Sequence, residues 1–218
     1  MQQLLRAPQA PLMFSLVAAT GLCLFIFAIA VLMQPASSVV SQERTAELIC
    51  LQLAFVPERA AAVVLNFSVE ERKAITQLLV PGDIGLTWGM GLTLAGLISL
   101  LAMRLPGNWL RVGAFIMWAP FVSATFDSIE DIFLFTIVSQ FVVDAAAAIN
   151  PTLTFLASTA ATIKFIALIV VTPAFGIAGI VKGLSVDRSI SALIVYLLLA
   201  FAIISIAPSS YQGIAACF

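Results

Sequence analysis

Long uncharged apolar runs alternate along this chain with short polar segments. The first run, Pro11 to Met33, has no charged residue. As a helix it exceeds the roughly 20 residues needed to cross a bilayer core. Arg6 precedes it, as in a signal peptide. A signal peptide's apolar stretch covers only about 7–15 residues and ends in a small-x-small cleavage site, so a retained span is expected. Ile84 to Met103 is a second uncharged run. A third extends from Trp109 to about Val143 and is interrupted by Asp127, Glu130 and Asp131. A fourth, from about Thr152 to Val181, contains Lys164, and a fifth runs from about Ser189 to Ala207. The connections at Arg104–Asn108 and Asn150-Pro151 are short and turn-like. The pattern predicts an all-α polytopic membrane helix bundle, with about five transmembrane helices in one membrane domain over 1–218.

Residues 34–83 break this rhythm. They carry Glu43, Arg44, Glu47, Glu58, Arg59, Glu70, Glu71, Arg72, Lys73 and Asp83. Apolar residues recur at helical spacing in Ala46, Ile49 and Leu53, and again in Val69, Ile75, Leu78 and Leu79. Ser68 with Glu71 makes a capping box, and Pro57 suits the first turn of another helix. Two or three short amphipathic helices are expected here. Segments this short cannot bury their apolar faces alone, so they should lie at the membrane surface or over the bundle as an extracytoplasmic cap.

Composition narrows the chemistry. Of 218 residues, 62% are hydrophobic and 10% charged, with mean hydropathy +1.13. One soluble core of this size could not hide so much apolar surface. A net charge of −1 excludes a strongly basic nucleic-acid binder. The absence of His removes His-ligated metals, haem and His general bases. Three Cys without CxxC spacing argue against zinc and iron–sulfur centres, so no metal centre and no cofactor is expected. Without a recognisable paired nucleophile and base, no catalytic residue is assigned and an enzyme is disfavoured.

Basic residues orient the bundle. Arg6, Arg104, Arg111, Lys182 and Arg188 fall on one side if five helices alternate. The positive-inside rule makes that side, and the N-terminus, cytoplasmic. The 34–83 cap, the turn near Asp144 and the uncharged tail to Phe218 then face outside. Cys50 and Cys217 share that side, which leaves a disulfide open.

The candidate site lies within the third and fourth runs. Asp127, Glu130 and Asp131 are spaced by three and four, so they share one helix face. Facing lipid they would cost several kcal/mol each, so they should face the bundle, a partner or water. Lys164 offers a counter-charge. In an antiparallel hairpin turning near 147, Glu130 and Lys164 are equidistant from the turn, and Asp127 and Asp131 lie within about one helical turn of that depth. Ala157, Ala160 and Ala161 share the Lys164 face and permit close approach. Counting from Arg111 puts the cluster in the outer half of the membrane, with Asp83 near it. One lysine cannot neutralise three carboxylates. At least one acid should hold a proton, or the group should share a cation. A purely structural clasp is the alternative.

Other features are weaker. Pro120 withholds a donor from the Ile116 carbonyl, and a kink there could open a cavity beside the acids. Gly85-x-x-x-Gly89 permits close helix packing. Trp88, Trp109 and Trp118 read as packing or interface residues, and Cys23 as a packing residue. Asn66-Phe67-Ser68 fits a glycosylation sequon, relevant only in a eukaryotic secretory route.

LQLAFVPERAAAVV (51–64), EERK (70–73), Asp83 opening a span, and FDSIEDIFLF (126–135) together resemble a family of small uncharacterised bacterial integral membrane proteins. That family has a PERA-type outer helix and an Asp-x-x-Glu-Asn motif in a later span. Asp127 and Glu130 match the motif's acids, and Asp131 stands where the family usually has Asn. The resemblance covers about residues 50–165. It implies a bacterial membrane and a shared outer-half site, and brings no activity with it.

The sequence therefore predicts an acidic pocket of Asp127, Glu130, Asp131, Lys164 and Asp83 that binds or passes a small ligand, lipid group, cation or proton. The alternative is an accessory or assembly subunit of a larger membrane complex. Membrane lipids are the expected partners. A homo-oligomer or larger complex stays open, and no nucleic acid is expected.

Overall fold

The computed structural model describes residues 2–40, 42–215 and 217, which form helices and connecting turns with no strand among them. The side chains of Glu43 and Ala46, and the tail's last residue Phe218, lie outside the described residues. The helices run in chain order as α1 (Gln2–Leu5), α2 (Ala10–Phe27), α3 (Gln34–Ser37), α4 (Gln42–Gln52), α5 (Pro57–Leu65) and α6 (Val69–Gln77). They continue as α7 (Ile84–Ala102), α8 (Asn108–Ile116), α9 (Ala119–Val143), α10 (Pro151–Phe165), α11 (Thr172–Val186) and α12 (Ile190–Ala215). Three helical stretches are long and apolar enough to cross a membrane: Ala10–Ala36, Val69–Ala102 and Pro151–Val186. Ile190–Ser205 is a shorter apolar helix.

α2 and α7 pack antiparallel along a seam of small residues. A Cβ added at Gly96 would lie 2.7 Å from the Ala18 Cβ, and one at Gly89 would meet the Phe25 backbone. The Gly85–Gly89 pair thus continues into a longer seam with Gly21 and Gly96, which lets the two backbones touch.

Several of the apolar runs are not single regular helices, the first having a wide π-type turn at Ala28–Leu32. The third divides at Met117–Trp118 into α8 and α9, with Pro120 in the first turn of α9. Without an N–H, Pro120 cannot continue the ladder to the Ile116 carbonyl, but it is well tolerated at a helix start. The fourth contains a wide π-type turn at Ile166–Val171, just before Pro173, and the Thr172 hydroxyl donates to the Ala167 carbonyl at 2.8 Å. Cys23 is exposed on α2, so the expectation that it packs inside is corrected. The stripe that packs on α7 is that of Phe14, Ala18 and Gly21. The tryptophans do pack: Trp109 on Phe175, Trp118 on Phe121, and Trp88 on Phe121.

The segment between α2 and α7 folds over one end of the bundle as α3–α6. Its buried Val40, Leu48, Val64, Phe67 and Ile75 share a core with Leu134, Ile137 and Phe141 of α9. Each such side chain contributes about 1.5–3 kcal/mol when fully buried, which short helices could not obtain alone. Pro57 opens α5, and Ser68 caps α6 in the expected box. The Glu71 N–H donates to Ser68 Oγ (3.2 Å), and the Ser68 N–H donates to Glu71 Oε2 (2.7 Å). That backbone donor, aided by the Ser68 hydroxyl and Arg44, holds the Glu71 carboxyl below its ordinary range. Arg72 is buried and fastens the cap to α9, donating to the carbonyls of Val64 (3.1 Å) and Phe141 (2.8 Å). Phe55 adopts φ 56°, and its N–H donates to Ser158 Oγ of α10 at 2.9 Å. A disulfide joins Cys50 of α4 to Cys217 beyond α12.

At the opposite end α1 rests on α8, and Arg104 joins the end of α7 to the α11–α12 loop. Its guanidinium lies 2.9 Å from Asp187 and donates to Ser191 Oγ at 3.2 Å. The Ser189 N–H and hydroxyl, with Arg104, hold the Asp187 carboxyl below its ordinary range.

Candidate functional site

Three helices bring the five predicted residues together. α9 presents Asp127, Glu130 and Asp131 on its inner face, because spacings of three and four return to the same side. α10 presents Lys164, and Asp83 immediately precedes α7. Asn150 sets the hairpin by accepting from the Thr152 N–H at 2.9 Å, with Pro151 as the first residue of α10. From there to Lys164, and back along α9 to Glu130, the chain descends about 20 Å on each arm. The two side chains therefore meet. Ala157, Ala160 and Ala161 are all buried and keep the arms close.

Lys164 Nζ lies 2.5 Å from Asp127 Oδ1 and 2.7 Å from Glu130 Oε2. The Thr87 hydroxyl donates to the second Asp127 oxygen. Ser123 Oγ donates to the Lys164 carbonyl at 3.3 Å. Glu130 and Asp131 are both 0% exposed, with no hydrogen bond to either carboxyl oxygen among the described residues, but Glu130 has the close ionic contact with Lys164 and Asp131 does not. Oxygens of Asp83, Asp127 and Asp131 all lie within 4.8 Å of one another. Four carboxylates thus surround one ammonium, and burying charge without a partner is expensive.

Above the cluster a cavity of about 370 Å³ opens between cap and bundle. Val40, Leu48 and Leu51 form its cap wall, and Asp83, Asp127 and Lys164 its polar floor. A second cavity, of about 390 Å³, follows the break before Pro120 and is lined only by apolar residues such as Phe115, Trp118 and Ile166. The cavity at the Pro120 break is thus apolar, and the opening beside the acids lies between cap and bundle. Thr87 and Ser123 escaped the sequence reading. Each lies four residues from an acid on its own chain segment, Asp83 and Asp127 respectively, which is the signal that could have found them.

No protein-family model, no curated protein and no solved structure matches the chain.

Proposed function

We propose that this is a multi-pass protein of five spans in a bacterial cytoplasmic membrane, holding a small amphiphilic ligand between its outer cap and its buried acids. The observation that carries the ligand reading is the shape of the 370 Å³ cavity, apolar along the cap and charged at Asp83, Asp127 and Lys164. Small-molecule sites combine these features: mostly apolar walls and a few convergent polar groups. A lipid headgroup or a small molecule with a cationic end matches that floor. A structural clasp, as in an accessory subunit, needs only balanced charges and no space above them.

The topology rests on three supports. Arg104 and α1 gather at one end of the bundle, the cap and Cys217 at the other. Disulfides persist in oxidising compartments, which favours the cap end outside. The helical rise from Asp83 to Arg104 is about 31 Å, close to a hydrocarbon core of about 30 Å, which favours the acids near the outer side. The resemblance to small bacterial membrane proteins with an Asp-x-x-Glu motif agrees with this arrangement.

The test is mass spectrometry of molecules extracted from protein purified in mild detergent. One amphiphile should accompany the wild type near equimolar amounts and be lost from Leu48→Trp, which fills the cavity from the cap side. A wild-type extract with nothing that Leu48→Trp depletes would leave the clasp as the better reading.

A further inference from the structure

We propose that Asp83, Asp127 and Asp131 bind a divalent hard cation of the Ca²⁺, Mg²⁺ or Mn²⁺ class where the start of α7 meets α9. The proposal rests on reading the cluster as a working site, but not on the identity of the cavity's ligand.

Geometry comes first. One oxygen from each aspartate lies within 4.8 Å of the other two. Hard divalent cations take oxygen ligands at about 2.0–2.6 Å, so oxygens on opposite sides of one ion stand roughly 4–5 Å apart. Three carboxylates converging within that span can share an ion.

Asp131 supplies the independent observation. It is fully buried, with both oxygens unpartnered by hydrogen bonds among the described residues and one of them within 4.8 Å of oxygens of Asp83 and Asp127. The close ionic contacts of Lys164 go instead to Asp127 Oδ1 and Glu130 Oε2. A buried carboxylate with no hydrogen-bond donor and only a shared ammonium beyond close ionic contact is strongly disfavoured, and a shared cation removes that penalty.

Charge and ligand type select the ion. Four carboxylates against one ammonium leave three negative charges. A divalent ion reduces this to one, whereas a monovalent ion leaves two. The ligands are all oxygen, without His or Cys, which suits hard cations over zinc or copper. The ion has a route, since Asp83 and Asp127 line the cavity. Water at the polar floor of that cavity, on the side opposite Leu48, completes the coordination that three carboxylates leave open.

The experiment is titration of the purified full chain with Mn²⁺, reading free Mn²⁺ by electron paramagnetic resonance at low salt. One Mn²⁺ per chain is expected, displaced by Ca²⁺ or Mg²⁺ but not by equal Na⁺. Asp131→Asn and Asp83→Asn should each weaken binding tenfold or more, while Glu58→Gln, in the cap's α5, leaves it unchanged. Mn²⁺ should raise the thermal midpoint of the wild type but not of Asp131→Asn, because only a state that binds the ion is stabilised by it. Absence of bound Mn²⁺ in the wild type overturns the proposal. So does binding that survives both substitutions, or a carboxylic-acid infrared band that saturating Mn²⁺ leaves intact, which would mean that Asp131 is satisfied by a proton. Leu48→Trp separates this result from the ligand test. It should abolish the co-purifying amphiphile and leave equilibrium Mn²⁺ binding in place, so either reading can fail alone.

Discussion

Glu130 Oε2 and Lys164 Nζ meet at 2.7 Å across the α9–α10 hairpin, each residue equidistant in sequence from residue 147. The equality matters because both arms are helical and rise at one rate, so equal sequence distance from the turn becomes equal depth. Both side chains are buried: Glu130 is 0% and Lys164 6% exposed. Asp127 shares the same ammonium at 2.5 Å, so the lysine joins two turns of α9 to one position on α10.

Removing that ammonium strands two buried acids. Lys164→Met should destabilise the protein by about 3–5 kcal/mol, the usual cost of breaking a fully buried pair from one side. Combining it with Asp127→Asn and Glu130→Gln should recover a large part of the loss. Thermal unfolding in one detergent checks both. Unchanged stability in the single variant would mean that the ammonium does not neutralise these acids.

The proposed topology makes Gly107 cytoplasmic and Ala145 external. With the three native cysteines replaced, Ala145→Cys should react with a membrane-impermeant maleimide on intact cells. Gly107→Cys should react only after lysis. Labelling of position 107 from outside would reverse the orientation.

The Cys50–Cys217 bridge ties the cap to the chain's far end. Alkylation under denaturing, non-reducing conditions should modify one cysteine, Cys23, and all three after reduction. Cys217→Ser should lower stability by about 2–4 kcal/mol, the usual contribution of a bridge closing a long loop. Peptide mass spectrometry and thermal melts read these outcomes.

Glu71 makes the start of α6 sensitive to acid. Its folded carboxyl ionises below the ordinary value of 4.5, chiefly because the Ser68 backbone N–H donates to the charged form. The stabilisation is therefore fully present above that ordinary value and is lost as pH falls through the lower folded one. Wild type should exceed Glu71→Gln in stability by about 0.5–1 kcal/mol near neutrality, the scale of a capping interaction, and the difference should vanish in acid. Thermal midpoints of both proteins from pH 3 to 7 provide the comparison.

Much of this protein is a direct consequence of local sequence. The uncharged runs at 11–33 and 84–103 can only be buried or lipid-facing helices, because apolar length and backbone hydrogen bonding leave little else. The Ser68–Glu71 box and the Asn150-Pro151 start of α10 are also local, since their partners lie within three residues. Even the Glu130–Lys164 contact was legible, because a helical hairpin converts counting into depth. Tertiary structure decided what sequence spacing does not encode. Pro120 announces a break, but only packing determined that the resulting groove would be apolar and that the charged cavity would form under the cap. Arg72 reads as one more charge in a polar segment, yet the docked cap buries it against the Phe141 carbonyl 69 positions away. Asp131 stands beside Glu130 in the chain, and one helical step of about 100° aims it at Asp83 and away from Lys164's close contacts. Which acid receives the lysine and which is left without a donor depends on where α7 and α10 sit around α9, and that arrangement exists only once the helices pack.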